Sequence, residues 1–289
     1  MSRTFLILMI GFLSFTVTAQ EIKTFAPDII STDIIEYCAT FSGENSVYFV
    51  RRDARWGDFN DKTPGHIYSS DKQGNSWSEP KLAPFSGTYS DSAPFISPDG
   101  QYFFFTSNRP DSDKSSEKAD IWLMTQTGDG WSAPTRLDNS INTAGTEYSP
   151  VLTKSGNLYF ASTGHNPIGQ GDIFICEFNG KGCDNVQNLG AAINSPKGEW
   201  NVFVDWEETF MIFEASERPP YHGYGDLFIS FRENGNWTKA VNMKALNTEG
   251  SELAVRLSPN GKTLYFAQSK DGDVDIKMVD AGVIENYRK

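Results

Sequence analysis

Ser92-Ala93-Pro94-Phe95-Ile96-Ser97-Pro98-Asp99-Gly100, then Phe103-Phe104-Phe105-Thr106-Ser107-Asn108-Arg109, then Asp120-Ile121-Trp122, is the stretch that decides the fold. A Pro-Asp-Gly turn separates two apolar runs, and a polar loop leads to a third, so the stretch reads as strand, turn, strand, loop, strand. The same order recurs along the chain. Apolar runs ending in Phe stand at Val47-Tyr48-Phe49, Phe103-Phe104-Phe105, Leu158-Tyr159-Phe160, Met211-Ile212-Phe213 and Leu264-Tyr265-Phe266. The steps between the closing Phe residues are 56, 55, 53 and 53 residues.

Three further anchors travel with each run. His66-Ile67-Tyr68, Asp120-Ile121-Trp122, Asp172-Ile173-Phe174, Asp226-Leu227-Phe228 and Asp275-Ile276-Lys277 open a third strand. Trp77, Trp131, Cys183 and Trp237 follow the first four of these at a constant 11 residues, the spacing of a tightly specified hairpin. An acid precedes each closing Phe by 13 or 14 residues: Glu36, Asp91, Glu147, Glu199 and Glu252. Four short antiparallel strands at this period are the pattern of a propeller blade. A β-sandwich would not require one pattern five times in fixed register.

The expectation is therefore all-β: a single five-bladed β-propeller of four-stranded antiparallel blades, over residues 21–289. Blades are placed at about 34–83, 90–138, 146–190, 198–244 and 251–283. The fourth strand is expected to run from the Trp to Leu137, Leu189 or Met243. The fifth unit stops after its third strand, near Val279 to Val283. Phe25 stands 24 residues before Phe49, close to the end of a fourth strand, so residues 21–30 are expected to close the ring and leave no open edge.

Composition fits strands and turns, with 21 Phe, 11 Tyr and 25 Gly among 289 residues. A net charge of −12 offers no basic surface for phosphates and excludes nucleic acid as the expected partner. Residues 1–20 combine Arg3, an apolar run from Phe5 to Phe15 and small residues to Ala19, which is the form of a cleaved signal peptide. The run is too short to span a bilayer comfortably. A soluble monomer in the periplasm or secreted is expected, with no membrane span. That compartment permits disulfides. An Asn179-Gly180 two-residue turn would place Cys176 opposite Cys183, leaving a bridge or two buried thiols as alternatives, and Cys38 reads as a core residue.

The Ser-Pro-Asp-Gly turn, the Phe-ended run and the Asp-Ile-aromatic start together resemble the WD40-like, TolB-type β-propeller repeat. Ile141-Asn142-Thr143, Ile193-Asn194-Ser195 and Leu246-Asn247-Thr248 ahead of the acids are similar to copies in Bacteroidetes-type envelope proteins. The resemblance covers the mature chain; units one and four lack the Pro-Asp turn. It implies a fold and leaves activity open.

The acids and the variable loops between strands two and three share one face. That face carries Arg51, Arg52, Arg55, Trp56, Arg109, His165, Arg218, Tyr221, His222, Tyr224 and Lys270, with His66 beside it. A concave mouth lined by Arg and aromatics suits a ligand. A ring of acids permits structural hydrogen bonding, a bound cation such as calcium, or glycoside cleavage; repetition in all five units favours structure, since catalysis needs asymmetry. No cofactor is implied, and the Cys spacing is not that of a zinc site. The expected function is a binding or scaffolding module for an envelope protein or glycan. The alternative is a secreted carbohydrate-active enzyme, a lyase or hydrolase, with His165, His222, Arg218 and Tyr224 as candidates for proton abstraction from a uronic sugar. The Trp series is expected to pack between blades.

Overall fold

The computed structural model describes residues 21–55, 63–111, 118–128 and 130–288. Residues 1–20, expected to be a signal peptide, and Trp56 lie outside the described residues. Each repeat becomes an antiparallel unit whose first three strands follow the anchors. Unit one is Ile35–Ser42, Ser46–Arg52 and His66–Gln73; unit two is Asp91–Ile96, Tyr102–Ser107 and Asp120–Thr127. Unit three is Glu147–Leu152, Asn157–Ser162, Asp172–Phe178 and Cys183–Asn188; unit four is Gly198–Val204, Phe210–Ser216 and Gly225–Glu233. Unit five is Glu252–Leu257, Thr263–Lys270 and Asp273–Asp280. The fold is all-β and made of curled sheets. No helix among the described residues is long and apolar enough to cross a membrane.

The five closing Phe residues are buried, and rings of adjoining units meet across the sheets. Tyr48 stands 5.1 Å from Phe103, Phe104 stands 5.4 Å from Phe178, and Tyr159 stands 6.2 Å from Trp237. Burying each such ring stabilises the fold by roughly 1.5–3 kcal/mol. The first strand of each unit packs on the first strand of the next, and that of unit five packs on that of unit one. The N-terminal strand Lys23–Thr24 pairs antiparallel with Lys277 and Met278 of unit five, and Phe25 N–H donates to the Ile276 carbonyl at 2.8 Å. The Phe25 ring then lies 5.0 Å from Tyr265 and 5.4 Å from Trp77, joining units five and one.

Every first strand carries a bulge, where its pairing with the second strand slips. The slips fall around Cys38, Ala93, Ser149, Asn201 and Ala254, whose φ values are +56°, +46°, +53°, +46° and +55°. None is glycine, and each lies two residues after a repeated acid. A left-handed non-glycine residue costs about 1–2 kcal/mol, so five of them are a substantial strain. Bulges of this kind re-aim side chains, here those lining the ring of first strands.

Two expectations need correction. The fourth strand of units one, two and four is broken into two short pieces, Ser76–Trp77 with Lys81–Leu82, Gly130–Trp131 with Thr135–Arg136, and Asn236–Trp237 with Val241–Asn242. Pro80 and Pro134 lack the N–H that a continuous ladder needs, and Ser78, Ser132 and Thr238 hydroxyls accept strand-three N–H groups instead. The unit-three hairpin pairs Phe178 with Cys183, so its loop has four residues; the Asn179 side chain accepts from Lys181 and Gly182 N–H groups. Unit five ends in a 3-10 helix, Ala281–Tyr287, whose Tyr287 hydroxyl accepts from Ala245 N–H at 3.0 Å.

Candidate functional site

The repeated acids are all buried at the start of their strands. Glu36, Glu147, Glu199 and Glu252 each accept both the backbone N–H and the hydroxyl of the residue four positions earlier: Thr32, Thr143, Ser195 and Thr248. Asp91 accepts from Ser86 Oγ at 2.6 Å. Each acid thus pins the corner by which the chain enters its unit. Burial outweighs these bonds at Glu36, whose carboxyl is pushed up to about 7, and it also raises Glu199 and Glu252. Beside three acids stands an Asn that pairs with the third strand like a backbone bridge. Asn142, Asn194 and Asn247 exchange side-chain bonds with the backbones of Ile121, Ile173 and Leu227.

A second repeated brace uses residues expected to bind ligand. Arg51, Arg109 and Arg218 pair with Glu36, Asp91 and Glu199 at 2.8, 2.8 and 3.4 Å. Each guanidinium lies over one ring on strand two and one on strand three, Phe49 and Tyr68, Phe105 and Trp122, Phe213 and Phe228, and that of Arg109 also lies over Tyr89. Each also donates to a carbonyl of the entering loop, those of Ile29, Phe85 and Ile193. His165 does the same in unit three, lying 5.5 Å from Phe160 and 5.4 Å from Phe174 with its Nε2 2.8 Å from the Ile141 carbonyl. These four side chains hold the frame.

The structure does not assemble the candidate proton-abstracting group. Among the described residues, no hydrogen bond, ion pair or ring contact joins His165 to Arg218, His222 or Tyr224. His222 is exposed, with Nδ1 3.6 Å from the Asp226 carboxylate and its own N–H donating to that carboxylate. Tyr221 and Tyr224 are exposed on the same loop. Lys270 lines a polar depression beside Asp271 and Arg55, and Arg55 donates to the Asp271 carbonyl at 2.6 Å. Among the described residues, no group of three or more His, Cys, Asp and Glu is placed to hold a metal.

Cys176 and Cys183 form a disulfide, with their Cα atoms 5.7 Å apart. They are diagonal neighbours, because the four-residue loop pairs Cys183 with Phe178, two residues beyond Cys176. Cys38 is buried and free, and burial pushes its thiol up to about 12.

The acid end of the ring opens into a cavity of about 650 Å3. The residue after the acid walls it in four units: Tyr37, Tyr148, Trp200 and Leu253. In unit two this residue is Ser92, whose hydroxyl bonds the Tyr37 and Tyr148 hydroxyls at 3.2 and 2.8 Å. Arg52 lines the cavity while donating to the Thr63 carbonyl. One carboxylate stands in this wall among the described residues, that of Glu214, which accepts from Asn201 Nδ2 at 2.5 Å. Burial pushes Glu214 up to about 7, the Asn201 bond opposes the shift, and the nearby Glu252 charge adds to it. Gly225 makes room for it, since a Cβ there would stand 2.4 Å from Glu214 Oε1.

Loop residues drew attention away from Glu214, yet the repeat marks it. It follows the closing Phe of unit four, where the other units place Val50, Thr106, Ala161 and Ala267. It is the charged exception at an otherwise uncharged position.

No protein-family model and no curated protein matches the chain. Among solved structures it is similar to the β-1,2-mannobiose phosphorylase of Listeria innocua, with a TM-score of 0.55 and 10% identity over 92% of this chain and 98% of that one. It is also similar to an endo-arabinase of Bacteroides thetaiotaomicron, with a TM-score of 0.53 and 13% identity over 89% of this chain and 97% of that one. The chain spans 37% of the length of a prolyl endopeptidase and 57% of that of a sialidase, with TM-scores of 0.44 and 0.47. The likeness is one of fold, an all-β arrangement of propeller type.

Proposed function

We propose that the protein is a five-bladed β-propeller of WD40-like, TolB-type repeats, closed by its N-terminal strand and exported to the cell envelope, and that it processes a carbohydrate in the cavity at the acid end. Five repeats, the pairing of Lys23–Thr24 with unit five and the cyclic packing of first strands support the architecture. The signal-like residues 1–20 support export.

Glu214 carries the functional reading. A carboxyl with a pKa of about 7, set among Tyr37, Tyr148 and Trp200, keeps roughly half of its population protonated at neutral pH. Such a group donates its proton to the oxygen of a glycosidic bond as that bond breaks. The aromatic walls offer flat apolar surface to sugar C–H faces, and Asn201 and Arg52 offer polar contacts to hydroxyls. The mannobiose phosphorylase and endo-arabinase of similar fold are in keeping with such a substrate.

A second reading, a non-catalytic glycan-binding module, is favoured by one observation. The five ring acids are all occupied within their own units, so none serves as a second carboxylate in the cavity wall. Turnover of arabinan and β-1,2-mannobiose, with glycan-array binding, separates the two. The enzyme reading expects turnover on a glycan, lost in Glu214→Gln while binding persists, with an alkaline limb near pH 7. Binding without turnover in the wild type supports the module. Absence of glycan binding in both proteins overturns both readings.

A further inference from the structure

The opposite end of the ring, at the turns between strands one and two, holds a second cavity of about 300 Å3. Its walls are Phe41, Phe95, Leu152, Phe203 and Leu257, and its rim includes Ser97-Pro98 and Ser258-Pro259. Arg256 lines it from within the ring of first strands and is 3% exposed. Four residues after the repeated acid, the other units place Thr40, Phe95, Val151 and Phe203 here, so the arginine is again a charged exception.

Arg51, Arg109 and Arg218 have carboxylate partners; Arg256 has none among the described residues. Its Nη1 donates to the Val255 carbonyl at 2.8 Å, and its guanidinium carbon is 5.8 Å from the Phe95 ring. Nε and Nη2 are buried and have no partner among the described residues. The titratable groups nearest to it, Cys38 and Tyr148, are neutral at physiological pH because burial raises both. Asp205, the carboxylate in the lining, already accepts from Thr209 N–H, Thr209 Oγ1 and Phe210 N–H at 2.5, 3.1 and 2.7 Å. A buried cation without a counter-charge is expensive. Nε and Nη2 form the edge of the guanidinium that presents two parallel N–H groups, the geometry that takes a carboxylate bidentately.

We propose that this cavity binds an organic monocarboxylate, its carboxylate held by Nε and Nη2 of Arg256 and its apolar body against Phe95, Leu152, Phe203 and Leu257. The anion supplies the missing counter-charge, and the five apolar walls require a hydrocarbon or aryl body rather than a hydrated inorganic anion. A free small acid and the C-terminal carboxylate of an apolar peptide share this chemistry. The site lies at the end of the ring opposite Glu214 and does not depend on the glycan reading.

The test is calorimetric titration and thermal unfolding of the mature protein with 4-phenylbutyrate, its neutral analogue 4-phenylbutanol, inorganic phosphate, and a short apolar peptide with a free or amidated C-terminus. Binding of the acid or of the free-acid peptide, at least about tenfold tighter than the alcohol or the amide, is expected. The tighter of the two identifies the source. Arg256→Met should abolish that preference while keeping a melting temperature at or above that of the wild type, because it removes an uncompensated charge. Arg256→Lys should fold and bind less tightly, since an ammonium lacks the two-pronged edge. Equal binding of acid and alcohol, binding of phosphate alone, no binding of any probe, or undiminished binding by Arg256→Met overturns the proposal. A lower melting temperature in Arg256→Met together with unchanged acid binding also overturns it, by making the arginine structural.

Discussion

Units three and four share the arrangement of their first three strands and hold it with different chemistry. In unit four Arg218 lies over the stacked rings of Phe213 and Phe228 and pairs with buried Glu199, and Trp237 packs on Tyr159 of the unit before. In unit three His165 takes the arginine's place, Ser162 Oγ donates to Glu147 at 2.8 Å, and Cys183 stands where the Trp would be, bonded to Cys176. Each replacement in unit three is matched by a neighbour that does the same job. Glu214 differs in kind: unit three has Ala161 at its position, and no cation in unit four neutralises the added carboxylate. Positions whose variation is compensated belong to the frame. Positions whose variation is left uncompensated, Glu214 and Arg256, are the ones on which the two proposed sites rest.

The hardest way to break this contrast is to remove Arg218. Arg218→Ala leaves Glu199 buried beside Ser195 alone, and losing one partner of a buried pair costs about 4 kcal/mol. Burial already raises Glu199, so the loss should be smaller in acid, where the carboxyl is protonated, and larger at neutral pH. Urea unfolding at pH 5 and pH 8 measures it. An effect under about 1 kcal/mol at pH 8 would place Arg218 outside the frame.

Glu214 sharpens the contrast through pH. Its folded pKa of about 7 lies above the ordinary 4.5, so the fold favours the protonated form. The stability it contributes is fully present below pH 4.5 and is lost as pH rises through 7. The change amounts to about 3 kcal/mol. Glu214→Gln should flatten that part of the stability profile, measured by urea unfolding from pH 4 to 9. A profile identical to the wild type would return Glu214 to the frame.

Much of the frame was legible in the sequence, because the repeat writes it five times. The closing Phe, the acid and the Asp-Ile-aromatic start all mark strands where the spacing places them, and Phe25 reaches the edge of unit five as its spacing from Phe49 implies. What one copy alone decides was harder to read. The unit-three hairpin slips by a bulge next to Cys176, which no spacing rule announces. The candidate site was displaced for a physical reason: arginines and a histidine on loops look like ligand contacts, and here they turn inward between rings. Glu214 and Arg256, in the walls of the two cavities, lie on strands, and only their departure from the other four copies reveals them.

The disulfide is the next test in size. Its cysteines are separated by 7 residues, a loop whose closure removes about 2 kcal/mol of unfolded-state entropy. Cys176→Ser with Cys183→Ser should lower stability by that amount, read by chemical unfolding with and without reductant on the wild type. If the loss exceeds that from Trp237→Ala, the bridge does more than stand in for the missing Trp.

The smallest effect belongs to His165, and it decides whether the stand-in is equivalent to the arginine. Its Nε2 meets one carbonyl and its ring meets two others, with no charge partner, because Glu147 is served by Thr143 and Ser162. One hydrogen bond with half-buried ring contacts is worth about 1 kcal/mol. His165→Ala should cost that much by urea unfolding, whereas Arg218→Ala is about four times as costly. His165→Arg would bring unit three to the chemistry of unit four, placing a guanidinium between Phe160 and Phe174 within reach of Glu147. Stability equal to or above wild type is the expected outcome, since the pocket already fits a flat donor and the acid is already buried there. A large loss would show that the hydroxyls around Glu147 leave no room for a second partner, and that the two units are held by exclusive rather than interchangeable chemistry.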